Sequence, residues 1–463
     1  MTKNLTEGSP AKLILMFTLP LIAGNIFMQL YSFVDTLLVG RFLGVHALAA
    51  VGCTGSLMFL MLGFVIGMTS GFSIYTGQRF GAKDADGVRK SAAACAFLSL
   101  ICAILMTIIG LSFVRPLLEL METPSEIIDD AYSFISIVYG GITLFVFIQM
   151  QMNIIRSLGD SKMPTIISAF GLTMNIIFEP IALLVLNGGI PGAAYATLLS
   201  QVCGNIFAFV YIKRKIPALH VRREDFKFTW KFLWAHLRIG LPMGFQASII
   251  AIGAVTLQFA LNNFGSTVVA SYAAAQKVDA IAGMPMMSFG VAMAAYTAQN
   301  YGARKFGRII EGLKKCAMMS VGFSIVAGAL QIFFGYELIS IFVGEDQTEV
   351  IEYGRIYLMI NGATYWILAL LFVTRNMLQG LGLSIIPTAA GIMELVMRVV
   401  AAIVVAQMFG YIGACTANPL AWAGAMIPLG ISTFLTYKRL KRAHLREIQI
   451  RQTYSSPELG VKS

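Results

Sequence analysis

Twelve apolar runs, each long enough to cross a bilayer as a helix, fill most of this chain: 12–40, 46–76, 90–114, 128–153, 163–186, 190–212, 234–262, 267–298, 310–335, 352–376, 384–408 and 411–436. A spanning helix needs about 20 mostly apolar residues. The runs are continuous, not alternating as barrel strands would be, and clusters of Gly, Pro, Asn and charge separate them. With 57% hydrophobic and 12% charged residues, the composition is that of a membrane protein. The expected fold class is an all-α integral membrane protein with twelve transmembrane helices.

The first run is too long for a signal-peptide core and shows no small-x-small cleavage site before Asn25, so it reads as the first span. Cys53, Cys95, Cys102, Cys203, Cys316 and Cys415 lie mostly within spans without CxxC spacing. They read as packing residues and not as redox or metal centres.

Net charge is +11, and the positions of the charges give it meaning. Basic residues crowd the loops after even-numbered spans: Arg79, Lys83, Arg89, Lys90; Arg156, Lys162; Lys213 to Lys215, Arg222, Arg223; Arg304, Lys305, Arg308; Arg375; and the tail from Lys438 to Arg446. Odd loops are acidic or neutral, with Glu119, Glu122, Glu126, Asp129 and Asp130 in one and Glu337, Glu345, Asp346, Glu349 and Glu352 in another. The positive-inside rule then puts both termini and all even loops in the cytoplasm of a multi-pass cell-membrane protein. The basic excess reports topology and lipid contact, and no nucleic-acid partner is expected.

The two halves resemble each other at an offset of 221 to 223 residues. TLPLIAG around Pro20 matches GLPMGFQ around Pro242, GQRFGA from Gly77 matches AQNYGA from Ala298, SLGDSKMPT matches GLGLSIIPT, and GIPGAA from Gly189 matches GYIGAC from Gly410. Six spans per repeat give both copies one orientation, so two six-helix lobes related by a pseudo-twofold axis along the membrane normal are expected, with a cavity between them. The boundaries read as an N-lobe at 1–215, an interlobe linker at 216–232, a C-lobe at 233–440 and a cytoplasmic tail at 441–463.

With these repeats, the glycine pattern after Asp35 (Gly40, Gly44), the AQNYGA signature and the fifth-span MNIIFEP, the chain resembles the multidrug and toxic compound extrusion (MATE) transporters over nearly its whole length. Within them it is similar to the DinF-like branch. The resemblance implies an N-lobe cation site at Asp35, Asn175, Glu179 and Thr197, able to take H⁺ or Na⁺, and a first helix that bends at Pro20. Glu179 stands where relatives often carry Asp.

The residues themselves support an acid site. An ionised carboxylate inside the membrane is costly and usually serves an ion pathway. Asn25, Gln29, Ser32 and Asp35/Thr36 recur at helical spacing, which predicts one polar face. The competing reading of Asp35 is an interfacial residue about 34 Å along the helix from Lys12. Glu179 follows Asn175 by one turn, and oxygen ligands suit a hard cation. The competing reading of Glu179 is an acid solvated locally at a Pro180 kink.

Asp35 aligns with Thr256 and Glu179 with the apolar segment near Ala402, leaving the C-lobe without matching acids. The C-half charges are Lys277 and Asp279, and the i,i+4 pair Glu394 and Arg398, for which mutual neutralisation and substrate contact both stand. Further polar cavity candidates are Gln149, Asn153, Gln246, Thr256 and Gln258, alongside Gln29, Ser32, Lys277 and Arg398, and the 25 methionines offer an adaptable lining. The four histidines have no metal-ligand spacing, and no Walker, GxSxG or HExxH motif occurs. The expected function is therefore a secondary, cofactor-free multidrug antiporter driven by H⁺ or Na⁺, a monomer that exports amphipathic, often cationic, drugs or metabolites. A lipid-linked precursor flippase of the same superfamily is the alternative, and a channel or receptor the third class.

Overall fold

The computed structural model describes residues 3–455 apart from Asn263 and Glu345. Glu345 of the acidic loop, the side chain of Gln258 and the tail from residue 456 onward lie outside the described residues.

Every span forms as a helix, because a backbone in lipid must satisfy its own N–H and C=O groups. The N-lobe holds α1 (Pro10–Cys53), α2 (Gly55–Gly81), α3 (Ala85–Leu120), α4 (Ile128–Gly140), α5 (Ile142–Ser157), α6 (Lys162–Pro180) and α7 (Gly189–Lys215). The C-lobe holds α8 (Trp230–Asn262), α9 (Ser266–Gly302), α10 (Phe306–Phe333), α11 (Gly335–Val343), α12 (Thr348–Gly380), α13 (Ile385–Val400), α14 (Ala406–Cys415) and α15 (Ala417–Ser455). Among the described residues eleven segments are long and apolar enough to cross a membrane, twelve if α4 and α5, bent by 48° at their junction, count as one span. The expected continuous helix over 128–153 is thus broken at Gly141. The segment expected as a separate tail continues α15 as helix to Ser455.

The repeat extends to backbone detail. Positive φ recurs in pairs: Gly44 (86°) with Gly265 (94°), Lys83 (58°) with Arg304 (57°), Gly159 (86°) with Gly382 (83°), and Gly189 (56°) with Gly410 (61°). Gly44 divides α1 into the first span and the start of the second, a turn that a left-handed glycine makes without strain. Both lobes also carry a π-helical turn in the fifth span of the repeat, Ile181–Val185 after Pro180 and Ala401–Val405 after Val400. Such turns widen a helix locally and are frequent at functional sites.

The lobes meet along α2 and α8. Gly67 and Gly71 on α2 face Gly240 and Gly244 on α8, and a Cβ on Gly71 would lie 2.5 Å from the Gly240 Cα. Two GxxxG motifs in backbone contact are a common way for membrane helices to pack. At the end carrying the basic loops, two long-range bonds repeat the symmetry: Gln78 Nε2 donates to the Gly380 carbonyl, and Gln299 Nε2 to the Ser157 carbonyl, each at 2.9 Å. Gln299 also accepts from the Leu5 backbone N–H at 2.9 Å, while Asn300 donates to the Leu5 carbonyl. The two sequence signatures are therefore the parts that close this end, and the N-terminal segment is sewn over one of them.

Candidate functional site

Thr165 Oγ1 on α6 donates to the Pro20 carbonyl of α1 at 2.5 Å, and Thr388 Oγ1 on α13 donates to the Pro242 carbonyl of α8 at 2.8 Å. These equivalent bonds pin the first and fifth spans of each lobe together and fix the register between lobes. Pro20 itself lies inside α1, whose one non-helical residue is Gly44. Gly44 is the turn between the first and second spans, and the backbone angles at Pro20, the residue expected to bend the first helix, are helical.

Beyond this clamp, α1 brings Asp35 against α6 and α7. Asp35 is half-buried and interacts with Glu179 and Thr197. Asn175 and Glu179 are fully buried, and Thr197 is buried. Tyr31, one turn before Asp35 on the same helix face, interacts with Asp35, Glu179, Thr197 and Ser200. The four expected site residues are thus assembled, and Tyr31 joins them. The signal for it was available in the sequence, as an i,i+4 neighbour of the one acid in the first span.

These groups lie close to one another, yet several of their polar atoms make no well-formed hydrogen bond. Tyr31 Oη, Asn175 Oδ1 and Nδ2, both Glu179 carboxylate oxygens and Thr197 Oγ1 are enclosed without a hydrogen bond of good geometry. Buried polar groups are nearly always satisfied, so such a cluster marks a place for water, a proton or an ion. Among the described residues no basic side chain contributes to the environment of either carboxylate, and two acids in a dry site need a proton or a cation for charge balance. Carboxylate, amide, hydroxyl and phenol oxygens fit Na⁺. A softer transition metal fits less well, as no group of three His, Cys, Asp or Glu side chains occurs among the described residues. The full burial of Glu179 overturns its reading as a locally solvated acid.

The predicted polar face of α1 divides in two. Tyr31 and Asp35 face α6 and α7, whereas Asn25 donates to Ser288 of α9 at 3.1 Å and Gln29 lines a cavity between α1 and the C-lobe. Ser32 and Thr36 are exposed and bonded to each other along the helix. A rotation of 100° per residue places these on adjacent stripes of α1, so spacing of three and four from Asn25 did not reach Asp35.

The other cavity candidates separate as follows. Gln149 lines a cavity of about 130 Å³ that Tyr31 and Ser200 also border. Asn153 is engaged structurally, donating to Thr69 Oγ1 and accepting from Arg156, each at 3.0 Å. Thr256 bonds its own helix at the Ile252 carbonyl. Lys277 is exposed, its Nζ 5.7 Å above the Phe342 ring. Gln246 is buried and accepts from Gln379 at 2.8 Å.

Arg398 belongs to a buried ion network. Glu394 accepts from Arg398 at 3.2 Å and from Arg375 at 2.7 Å, with all three side chains no more than 7% exposed. Arg375 was expected in a cytoplasmic loop, but it lies inside α12 because α12 extends to Gly380. Removing the shared acid leaves two buried guanidinium groups uncompensated, which costs about 3 to 5 kcal/mol. Glu394→Gln is therefore expected to lower the thermal unfolding temperature of purified protein clearly. Unchanged unfolding would show that the network contributes nothing to stability.

The landmarks of the repeat bracket the C-lobe counterpart. The prolines are 222 residues apart, the threonines 223 and the paired Gly44 and Gly265 221, so Asp35 falls opposite Thr256, as expected from the sequence, or its neighbour Leu257. Ala402 stands for Glu179 and Arg398 for Asn175. Leu257, Ala401 and Ala402 are packed in one apolar cluster, so the pseudo-symmetric position is dry core.

The chain is 28% identical over 358 residues to the probable multidrug resistance protein YoeA of Bacillus subtilis, covering 75% of this chain and 76% of that one. It is 27% identical over 380 residues to the probable multidrug resistance protein YpnP of the same organism, covering 82% and 84%. A crystal structure of MATE in complex with MaL6 superposes with a TM-score of 0.87 at 23% identity, over 96% of this chain and all of that one, and shares the two-lobed fold. The MatE family model matches residues 20–181 and 242–404, one copy in each lobe, and the chain belongs to that family of transporters.

Proposed function

We propose that this protein is a cation-coupled antiporter that exports amphipathic, often cationic, small molecules by alternating access, with H⁺ or Na⁺ taken up at Asp35, Asn175, Glu179 and Thr197. The observation that carries the reading is an enclosed pair of acids in the N-lobe with several polar atoms left without a well-formed hydrogen bond, where the C-lobe has no matching acid and packs Leu257, Ala401 and Ala402 instead. A purely structural polar cluster would be bonded internally, whereas an ion site waits for its ion. The names of the curated relatives support the export of drugs. The deciding experiment is efflux of a fluorescent cation from proteoliposomes with Na⁺ and H⁺ gradients imposed separately. Efflux driven by one or both gradients supports the proposal, and efflux indifferent to both excludes it.

The proposal includes the N-lobe at 1–215, the linker at 216–232, the C-lobe at 233–440 and the tail at 441–463, in a monomer within the cell membrane and its lipids. Both termini face the cytoplasm. Cysteines placed at residues 84 and 222 are expected to resist an impermeant thiol reagent added outside intact cells, and one at residue 346 to react. Labelling at 222 from outside reverses the orientation.

A further inference from the structure

Inside the C-lobe, α8, α12 and α13 enclose a polar cluster of the opposite character to the acids of the N-lobe. Arg375 and Gln379 stand one turn apart on α12, Glu394 and Arg398 one turn apart on α13, and Gln246 lies one turn before the Ile250 carbonyl on α8. All five side chains belong to residues at most 5% exposed. Glycines let them pack closely: a Cβ on Gly253 would lie 2.8 Å from Arg398 Nη1, and one on Gly391 3.0 Å from the Gln246 side chain.

The donors here outnumber the acceptors. Two guanidinium groups, each always charged and carrying five N–H donors, meet three acceptor oxygens among the described residues. Arg375 Nη2 donates to Glu394 Oε2 at 2.7 Å, Arg398 Nη2 to Glu394 Oε1 at 3.2 Å, and Arg398 Nη1 to the Ile250 carbonyl at 3.4 Å. The amide of Gln379 is used on Gln246 Oε1 at 2.8 Å. What stays enclosed without a partner is Nε of Arg375, Nε of Arg398 and Nε2 of Gln246. All three are donors.

Charge points the same way. One carboxylate stands between two guanidinium groups, so one positive charge is unbalanced. Asp279 of α9 does not offset it, because that acid accepts from Tyr365 and no basic residue enters its surroundings among the described residues. A single arginine suffices to neutralise Glu394, so packing alone leaves the second buried charge unexplained. Buried unpartnered donors together with unbalanced positive charge call for an anion. The burial of all five residues favours an ion of one atom over a polyatomic one.

We propose that Arg375, Arg398 and Gln246 form a binding site for a halide ion, chloride above all, which takes the open N–H groups and completes the charge of the Glu394 network. The site is separate from the N-lobe cation site and from the efflux reading, and its test involves no transport.

Thermal unfolding of purified full-length protein is followed while sodium gluconate is replaced by sodium chloride or sodium bromide, with Na⁺ and ionic strength held constant. A ligand held only by the folded state raises the unfolding temperature as its concentration rises, so both halides are expected to raise it progressively above the gluconate value. In crystals grown with bromide, an anomalous peak is expected between α8, α12 and α13. Arg398→Gln removes one charge and one open donor, and is expected to weaken halide binding at least about thirtyfold, as losing one partner of a buried charge pair does. Glu394→Gln adds to the unbalanced charge, so its loss of stability is expected to shrink as chloride rises. Gln246→Glu puts a tethered carboxylate beside the guanidinium groups in place of the free anion, and is expected to fold and to lose the halide response. If Arg398→Gln does not fold, Gln246→Glu and the bromide peak decide. Equal unfolding temperatures in gluconate, chloride and bromide overturn the proposal. A halide response kept in full by Arg398→Gln or by Gln246→Glu, or a bromide peak elsewhere only, shows an ion bound at another place and overturns it as well. A response to sodium acetate without one to bromide shows a carboxylate site and overturns the halide assignment.

Discussion

Glu179→Gln is expected to bring gradient-driven efflux down to the level of protein-free vesicles while leaving the fold as stable as before, or more so. The two effects separate because of where the residue sits. Both carboxylate oxygens are enclosed and make no well-formed hydrogen bond, and the amide keeps the shape and the polar neighbours Asn175 and Asp35, so the replacement removes little stabilising contact. It removes a charge from a place where charge is costly. Coupling is lost because an amide neither takes up a proton nor supplies an anionic ligand to Na⁺. Asp35→Asn is expected to behave alike, since it contributes the second carboxylate. Glu394→Gln reverses the pattern, with stability lowered and ion dependence kept, because that acid holds Arg375 and Arg398. Efflux is measured against pH and Na⁺ for each variant and normalised to folded protein. If Glu179→Gln keeps the wild-type ion dependence and Glu394→Gln abolishes it, coupling belongs to the C-lobe.

Much of this arrangement was legible in the sequence, for reasons that particular residues show. The spans were readable because lipid forces length and apolarity on every one, and the repeat because landmarks such as Pro20 and Pro242 stand at the same points of a shared clamp. The acid cluster was readable because a carboxylate in a spanning run is rare. Three things were hidden. The break at Gly141 is marked only by the Gly140–Gly141 pair, which lies inside an apolar run of single-span length and so reads as part of one helix. Arg375 looked like a loop residue because its charge is satisfied by Glu394 on another helix, 19 positions away. The split face of α1 was missed because residues at spacing three and four drift around the helix, and only the neighbouring helices decide which stripe each belongs to. Lys277 and Asp279 differ for a related reason: two residues apart on one helix, they face nearly opposite sides of it and meet different surroundings.

The second large effect is expected at Gly302, in the closed end near the basic loops. A Cβ there would lie 1.8 Å from the Gln78 carbonyl oxygen, and one on its repeat partner Gly81 would lie 1.9 Å from the Gln299 carbonyl oxygen. The α2 and α9 backbones therefore touch, and Gln78 and Gln299 reach past the contact to the opposite lobes. Removing both amides as Gln78→Ala with Gln299→Ala deletes two bonds worth about 1 kcal/mol each, enough to favour opening by roughly thirtyfold. Gly302→Leu acts more strongly, since no rotamer relieves a clash at the Cβ and the two helices must separate for the side chain to fit. Ser157 is buried beside this contact, and Ser157→Cys in a chain without its native cysteines supplies a reporter thiol. With Gly302 intact, that thiol is expected to be protected from a reagent supplied at the basic-loop end. With Gly302→Leu it is expected to react rapidly, and efflux is lost because an end that cannot close cannot alternate access. A folded Gly302→Leu protein whose reporter thiol stays protected would show that the glycine contact is not the seal, and that closure rests on the N-terminal segment bonded to Gln299 and Asn300.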